Sequence, residues 1–118
     1  MALNLYEEVG INRDSIIQDE NQLTGVAGIM INEKTGDNAI NIVPGAAVSL
    51  TNKDIDKNFS FIKNSEIFLT QLETPYEVTS YALNKAKESG STTIFNPAPA
   101  SNINESDFKR MDLSLIHI

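Results

Sequence analysis

Residues 65–100 read SEIFLTQLETPYEVTSYALNKAKESGSTTIFNPAPA, and this stretch decides the fold. Ser65–Leu72 has the composition of a buried strand. Its centre, Ile67-Phe68-Leu69, is a continuous apolar run, the pattern of parallel sheets covered on both faces. A helix is expected next. Thr74 is the candidate cap, Pro75 takes the favoured first helical position, and Glu77 stands in the first turn. Val78, Ala82 and Ala86 continue an apolar face, Lys85 and Lys87 sit near the negative end of the helix dipole, and Gly90 closes it. Residues 92–95 (TTIF) form a second short strand. Strand, helix and strand over 65–96 make one βαβ unit, which is right-handed in nearly all proteins. Asn96-Pro97-Ala98-Pro99-Ala100 then stops the strand at its carboxyl edge, where open α/β sheets bind ligands. The fold class is α/β.

Upstream, residues 24–43 read as an antiparallel hairpin. TGVAGIMI and NAINIV are strand-like runs flanking the turn cluster NEKTGD, and Pro44-Gly45 is expected to end the second arm. Ile40 and Ile42 share one face while Asn41 alternates to the other, so one side is apolar and needs a cover. Thr51 is a plausible cap for a helix carrying Asp54 in its first turn and Ile55, Phe59 and Ile62 at helical spacing. Ala2, Leu5 and Val9 mark a short helix stopped by Gly10.

The 118 residues suffice for one packed domain, and 41% apolar with 21% charged residues is ordinary globular composition. Sixteen acids against nine bases give a net charge of −7, which argues against nucleic acid or an anionic membrane surface as partner. The absence of cysteine excludes disulfides, thiolate metal sites and cysteine nucleophiles. His117 is the one histidine, so a Ser-His-Asp triad or a histidine-rich metal site is not expected. The N-terminus has early acids and no basic region, unlike a signal peptide, and no apolar run reaches membrane-spanning length. A cytoplasmic location is the resulting expectation.

Position alone singles out two polar residues. Glu73 directly follows the first parallel strand, where a carboxylate accepts hydrogen bonds from ligand hydroxyls or simply favours a helix start. Asn96 ends the second strand, as a ligand-edge amide or as a turn residue. Ala27, Ile29 and Ile42 on the hairpin read by themselves as core or interface positions. Neither a G-x-G-x-x-G nor a Walker A pattern is present.

Three segments, TGVAGIMINEKTGDNAINIVPGAA, QLETP and TIFNPAPA, occur in an order and at spacings that closely resemble the ribokinase-like sugar kinases of the phosphofructokinase-B type. The resemblance spans residue 2 to about residue 112. It implies a central part of one larger Rossmann-like α/β/α sandwich with a small β-sheet lid, to which the hairpin 24–43 would belong. It implies transfer of the ATP γ-phosphoryl to the 5-hydroxyl of D-ribose, with Mg²⁺ and a monovalent cation such as K⁺ in the full-length parent, and homodimers paired through lid sheets. By the same resemblance, Ala27, Ile29 and Ile42 would line the apolar side of the sugar pocket and Glu73 would bond a sugar hydroxyl.

Other family features are missing: the N-terminal Asn/Asp sugar contacts, the Gly-Gly-Lys-Gly-Ala-Asn-type segment, the Asn-x-x-Glu motif, and the Asp-Thr-x-Gly-Ala-Gly-Asp-type signature whose last Asp is the catalytic base. No catalytic residue is therefore expected within this chain, and it is expected to be inactive alone. Residues 113–118 (LSLIHI) resemble the translation of a transposon-end sequencing adapter and are expected to be a non-native tail, leaving His117 without a role. The competing readings are another sugar or nucleoside kinase of the same type and a non-catalytic sugar-binding module.

Overall fold

The structure is a computed structural model, and it describes residues 2–115. Helix α1 (Ala2–Glu8) is followed by an extended loop. Strands β1 (Thr24–Ile31) and β2 (Asn38–Gly45) form the hairpin, and a single 3-10 turn (Ala46–Ser49) leads to α2 (Asn52–Lys57) and α3 (Phe59–Lys63). Then come β3 (Ile67–Thr70), α4 (Tyr76–Glu88), β4 (Thr92–Phe95), α5 (Glu105–Phe108) and β5 (Leu113–Ser114). Strands β3, β4 and β5 make a parallel sheet with β4 in the centre, so the expected βαβ unit is present.

The hairpin pairs Thr24 with Gly45, Ala27 with Ile42 and Ile29 with Ile40. Its turn is closed by the Asn32 amide on the Asp37 carbonyl (2.8 Å) and by Gly36 at φ +77°. The second arm runs two residues further than expected, through Pro44 and Gly45. Proline is tolerated because a two-stranded sheet has only edge strands, so one side of each needs no N–H donor. Gly45 sits at φ +55°, and a Cβ there would lie 2.3 Å from the Leu23 carbonyl oxygen. Only glycine lets the chain leave the hairpin that closely packed.

The segment expected as one helix after Thr51 is broken at Asn58. At Asn58 both the backbone N–H (3.2 Å) and the side-chain amide (3.0 Å) donate to the Asp54 carbonyl, a local side-chain bond of the kind that competes with helix continuation, and α2 stops there. The start of α2 is fixed by Asp54, whose carboxylate accepts from the Thr51 amide (3.0 Å) and hydroxyl (2.6 Å) and is held below its ordinary pKa by them. Helix α4 begins one residue later than expected: Pro75 is its cap and Tyr76 its first residue. The Thr74 hydroxyl is occupied with the Thr79 hydroxyl (2.8 Å) instead of capping.

The core lies between α4 and one face of the parallel sheet. Val78, Ala82, Leu83 and Ala86 meet Phe95 and Thr93, all buried. Lys85 ties α2 to α4, with its ammonium 2.9 Å from Asp56 and 4.6 Å from the Phe59 ring centre. At the sheet edge Asp112 accepts from Lys87, from the Thr93 amide (2.8 Å) and from the Thr93 hydroxyl (2.9 Å).

The opposite sheet face corrects the expectation of a strand covered on both sides. Ile67 is 60% exposed, Leu69 64% and Leu113 56%, and no described element packs on them. The apolar run 67–69 has the composition for two-sided burial, but these residues supply only one covering layer. Leu113 and Ser114, the first residues of the segment expected to be non-native, pair with Ile94 and Phe95. Such pairing is blind to a segment's origin, because any non-proline backbone can make it. Residues 116–118, including His117, lie outside the described residues.

Candidate functional site

The carboxyl edge of the parallel sheet is organised by backbone bonds between the two strand ends. The Asn96 amide donates to the Thr70 carbonyl (2.9 Å), and the Leu72 amide donates to the Ala98 carbonyl (3.0 Å). The loop 96–100 therefore runs beside residues 70–72, and Glu73 emerges next to it. The Glu73 amide is taken by the Gln71 side-chain carbonyl, which fixes the backbone while the carboxylate stays exposed.

Glu73 closes one end of an open cleft of about 300 Å³. The other lining residues are Gly25, Val26 and Ala27 from β1, Ile42, Val43 and Pro44 from β2, and Ala47. Ala27 and Ile42 are direct cross-strand partners. Three of the residues singled out in the sequence thus converge: Ala27, Ile42 and Glu73. Ile29 does not join them. It shares the face of Ala27, but it is paired with Ile40 one step nearer the turn and lies beyond the cleft. Chemically the cleft is an apolar wall opposed by a single carboxylate. Such a surface receives a small ligand with a non-polar side and hydroxyls that donate to the carboxylate.

Asn96 adds a second polar feature. Its Oδ1 is buried and accepts no hydrogen bond from the described residues. Buried carbonyl oxygens are almost always paired, so an unpaired one at a sheet's carboxyl edge marks a place for a donor from elsewhere. The sequence located Asn96 at this edge but gave no sign that its oxygen would be left unpaired.

Another cleft, of about 350 Å³, is lined by Asp19, Glu20 and Asp54 together with Ala46, Ser49 and Leu50. Its carboxylates repel phosphate groups, which makes it a poor nucleotide site. Among the described residues no three histidine, aspartate or glutamate side chains converge as a metal site, and no helix is long and apolar enough to cross a membrane.

Comparison with known proteins agrees with this architecture. Over 113 residues the chain is 36% identical to the bifunctional ribokinase/ribose-5-phosphate isomerase A of Fructilactobacillus sanfranciscensis, covering 96% of this chain and 21% of that one. It is 38% identical to the Mus musculus ribokinase over 76% of this chain and 28% of the relative, and 33% identical to a Salmonella typhi deoxyribokinase over 80% and 30%. The chain thus spans between a fifth and a third of the relatives it matches. Among solved structures, Sa239 superposes with a TM-score of 0.87 at 30% identity, over 95% of this chain and 37% of that one. The Arabidopsis thaliana ribokinase complexed with ribose and ATP shares the fold, with a TM-score of 0.78 at 24% identity over 89% and 34%. The family model for the pfkB family carbohydrate kinases matches residues 1–116, and the chain belongs to that family.

Proposed function

We propose that this chain forms the sugar-holding part of a kinase that moves the γ-phosphoryl of ATP to the 5-hydroxyl of D-ribose. The observation that carries the reading is the convergence of Glu73 with Ala27 and Ile42 in one cleft, from elements some thirty to fifty residues apart in sequence. The apolar hairpin wall excludes water, the competing phosphoryl acceptor, while the Glu73 carboxylate accepts from sugar hydroxyls and fixes the ring. Names of relatives support ribose as the sugar. The unpaired Asn96 oxygen supports a further ligand contact at the same edge. We place the lid-to-lid homodimer and a cytoplasmic setting in the same proposal. Among the described residues no three histidine, aspartate or glutamate side chains converge to hold Mg²⁺, and no step is routed through that ion or through K⁺.

The chain lacks the family's catalytic base and anion-hole segment, so it is expected to give no ribose-dependent ADP alone. A chimaera with residues 2–112 in place of the matching segment of the Fructilactobacillus enzyme supplies the missing parts. It is expected to phosphorylate ribose. Glu73→Gln in that chimaera should raise KM for ribose about 10- to 100-fold, the equivalent of one charge-assisted hydrogen bond, with kcat nearly unchanged. An unchanged KM removes Glu73 from the sugar site. A second reading, a 2-deoxyribose kinase, is favoured by the deoxyribokinase relative. Higher kcat/KM for deoxyribose than for ribose in the same chimaera would establish it.

A further inference from the structure

A partly buried polar cluster, built around the buried Asp107, has none of its residues in the lining of the cleft. Tyr76, three residues after Glu73, donates its hydroxyl to Asp107 and accepts from the Asn104 amide (2.8 Å). Asp107 is only 2% exposed, and its other oxygen takes the Arg110 guanidinium. Arg110 also reaches the Ser80 hydroxyl on α4 (3.4 Å). Burial, and then the Asp107 carboxylate, push the Tyr76 hydroxyl above its ordinary pKa, which keeps it protonated as a donor.

The placement of this cluster is informative. The loop 96–104 carries the unpaired Asn96 oxygen and both prolines of the strand end. One end of the loop is bonded to residues 70–72, and the other end hangs from the Tyr76 hydroxyl through Asn104. Burying a carboxylate is a costly way to hold a helix down, and an apolar contact would serve stability as well. What the charged cluster adds is direction, because charge-assisted hydrogen bonds fix where both partners sit.

We propose that Tyr76, Asp107 and Arg110 form a latch that clamps the loop 96–104 against residues 70–73 and so holds Asn96 and Glu73 in register for the ligand. These are positioning residues, and their use in catalysis rests on the sugar-kinase reading. The test has two arms. In the 118-residue chain, amide exchange is followed in wild type and Tyr76→Phe. The informative amide is Leu72, whose acceptor, Ala98, makes no hydrogen bond to the substituted hydroxyl. Tyr76→Phe should speed Leu72 exchange about tenfold relative to the Leu83 and Ala86 amides within α4. Parallel changes at all three, no change at Leu72, or no protection of Leu72 in the unsubstituted chain overturns the latch. In the chimaera, Tyr76→Phe should raise KM for ribose or ATP about three- to tenfold with a smaller change in kcat. A merely structural role would lower the melting temperature and leave KM alone. Faster Leu72 exchange with unchanged KM upholds the clamp on the loop and overturns its role in positioning Asn96 and Glu73; an unsubstituted chimaera that does not phosphorylate ribose overturns the sugar-kinase reading instead.

Discussion

The bare sheet face has a measurable consequence in urea. A compact monomer of 13.0 kDa exposes ~6,300 Å² by the mass scaling of folded proteins, whereas this chain exposes 9004 Å². The unfolded chain exposes ~18,900 Å² on the same scaling, so folding hides only about 52% of it, less than the roughly 60% typical of a domain half this size. The radius of gyration tells the same story, 16.1 Å against ~13.5 Å for a compact chain of 118 residues. The denaturant slope m is proportional to the surface released on unfolding. The isolated chain should therefore show an m-value about a fifth below that of compact proteins of equal length, with a low midpoint. Equilibrium urea titration followed by circular dichroism reads both quantities, and sedimentation run alongside confirms a monomer. A monomeric chain with the full m-value and a sharp transition would refute the reasoning, since that requires the exposed hairpin strands and the face carrying Ile67, Leu69 and Leu113 to be covered.

Two further substitutions test other parts of the structure. Gly45→Ala brings a Cβ within 2.3 Å of the Leu23 carbonyl oxygen and 2.6 Å of the Gly25 nitrogen at φ +55°. It should cost about 2 kcal/mol or more and speed exchange at Ala46, whose amide bonds Leu23; unchanged exchange there would contradict the geometry. Lys87, the Thr93 amide and the Thr93 hydroxyl lower the Asp112 pKa to about 2 from an ordinary 3.8. A carboxylate depressed in the folded state contributes its stability fully above about pH 4 and loses it as pH falls through about 2. Asp112→Asn should flatten the acid limb of a urea-midpoint profile in that window, and parallel profiles would remove the assigned role.

Much of this was legible from local pattern. The hairpin declares itself through two β-rich runs around NEKTGD, and α4 through Val78, Ala82 and Ala86 bounded by Pro75 and Gly90. Glu73 is legible by the strand-end rule. The meeting of Ala27 with Ile42 follows from hairpin register, but their meeting with Glu73 is a tertiary event that only the family resemblance anticipated. The Tyr76–Asp107–Arg110 cluster left no trace in the pattern. Asp107 reads as a solvated acid in the first turn of a helix, and its tyrosine partner lies 31 residues away. The break at Asn58 was equally hidden, because Ile55, Phe59 and Ile62 keep helical spacing across it.

The order of strands in the parallel sheet bears on how such a polypeptide is made. With β4 between β3 and β5, the outer sides of β3 and β5 are open among the described residues. A nascent chain leaving the ribosome completes the β3–α4–β4 unit before β5 exists to pair with β4. Until β5 arrives, that row of backbone groups is a template for the wrong partner, including the same segment on an adjacent nascent chain. Synthesis stalled within this segment would favour clumping between neighbouring polypeptides on one messenger, whereas rapid elongation would suppress it.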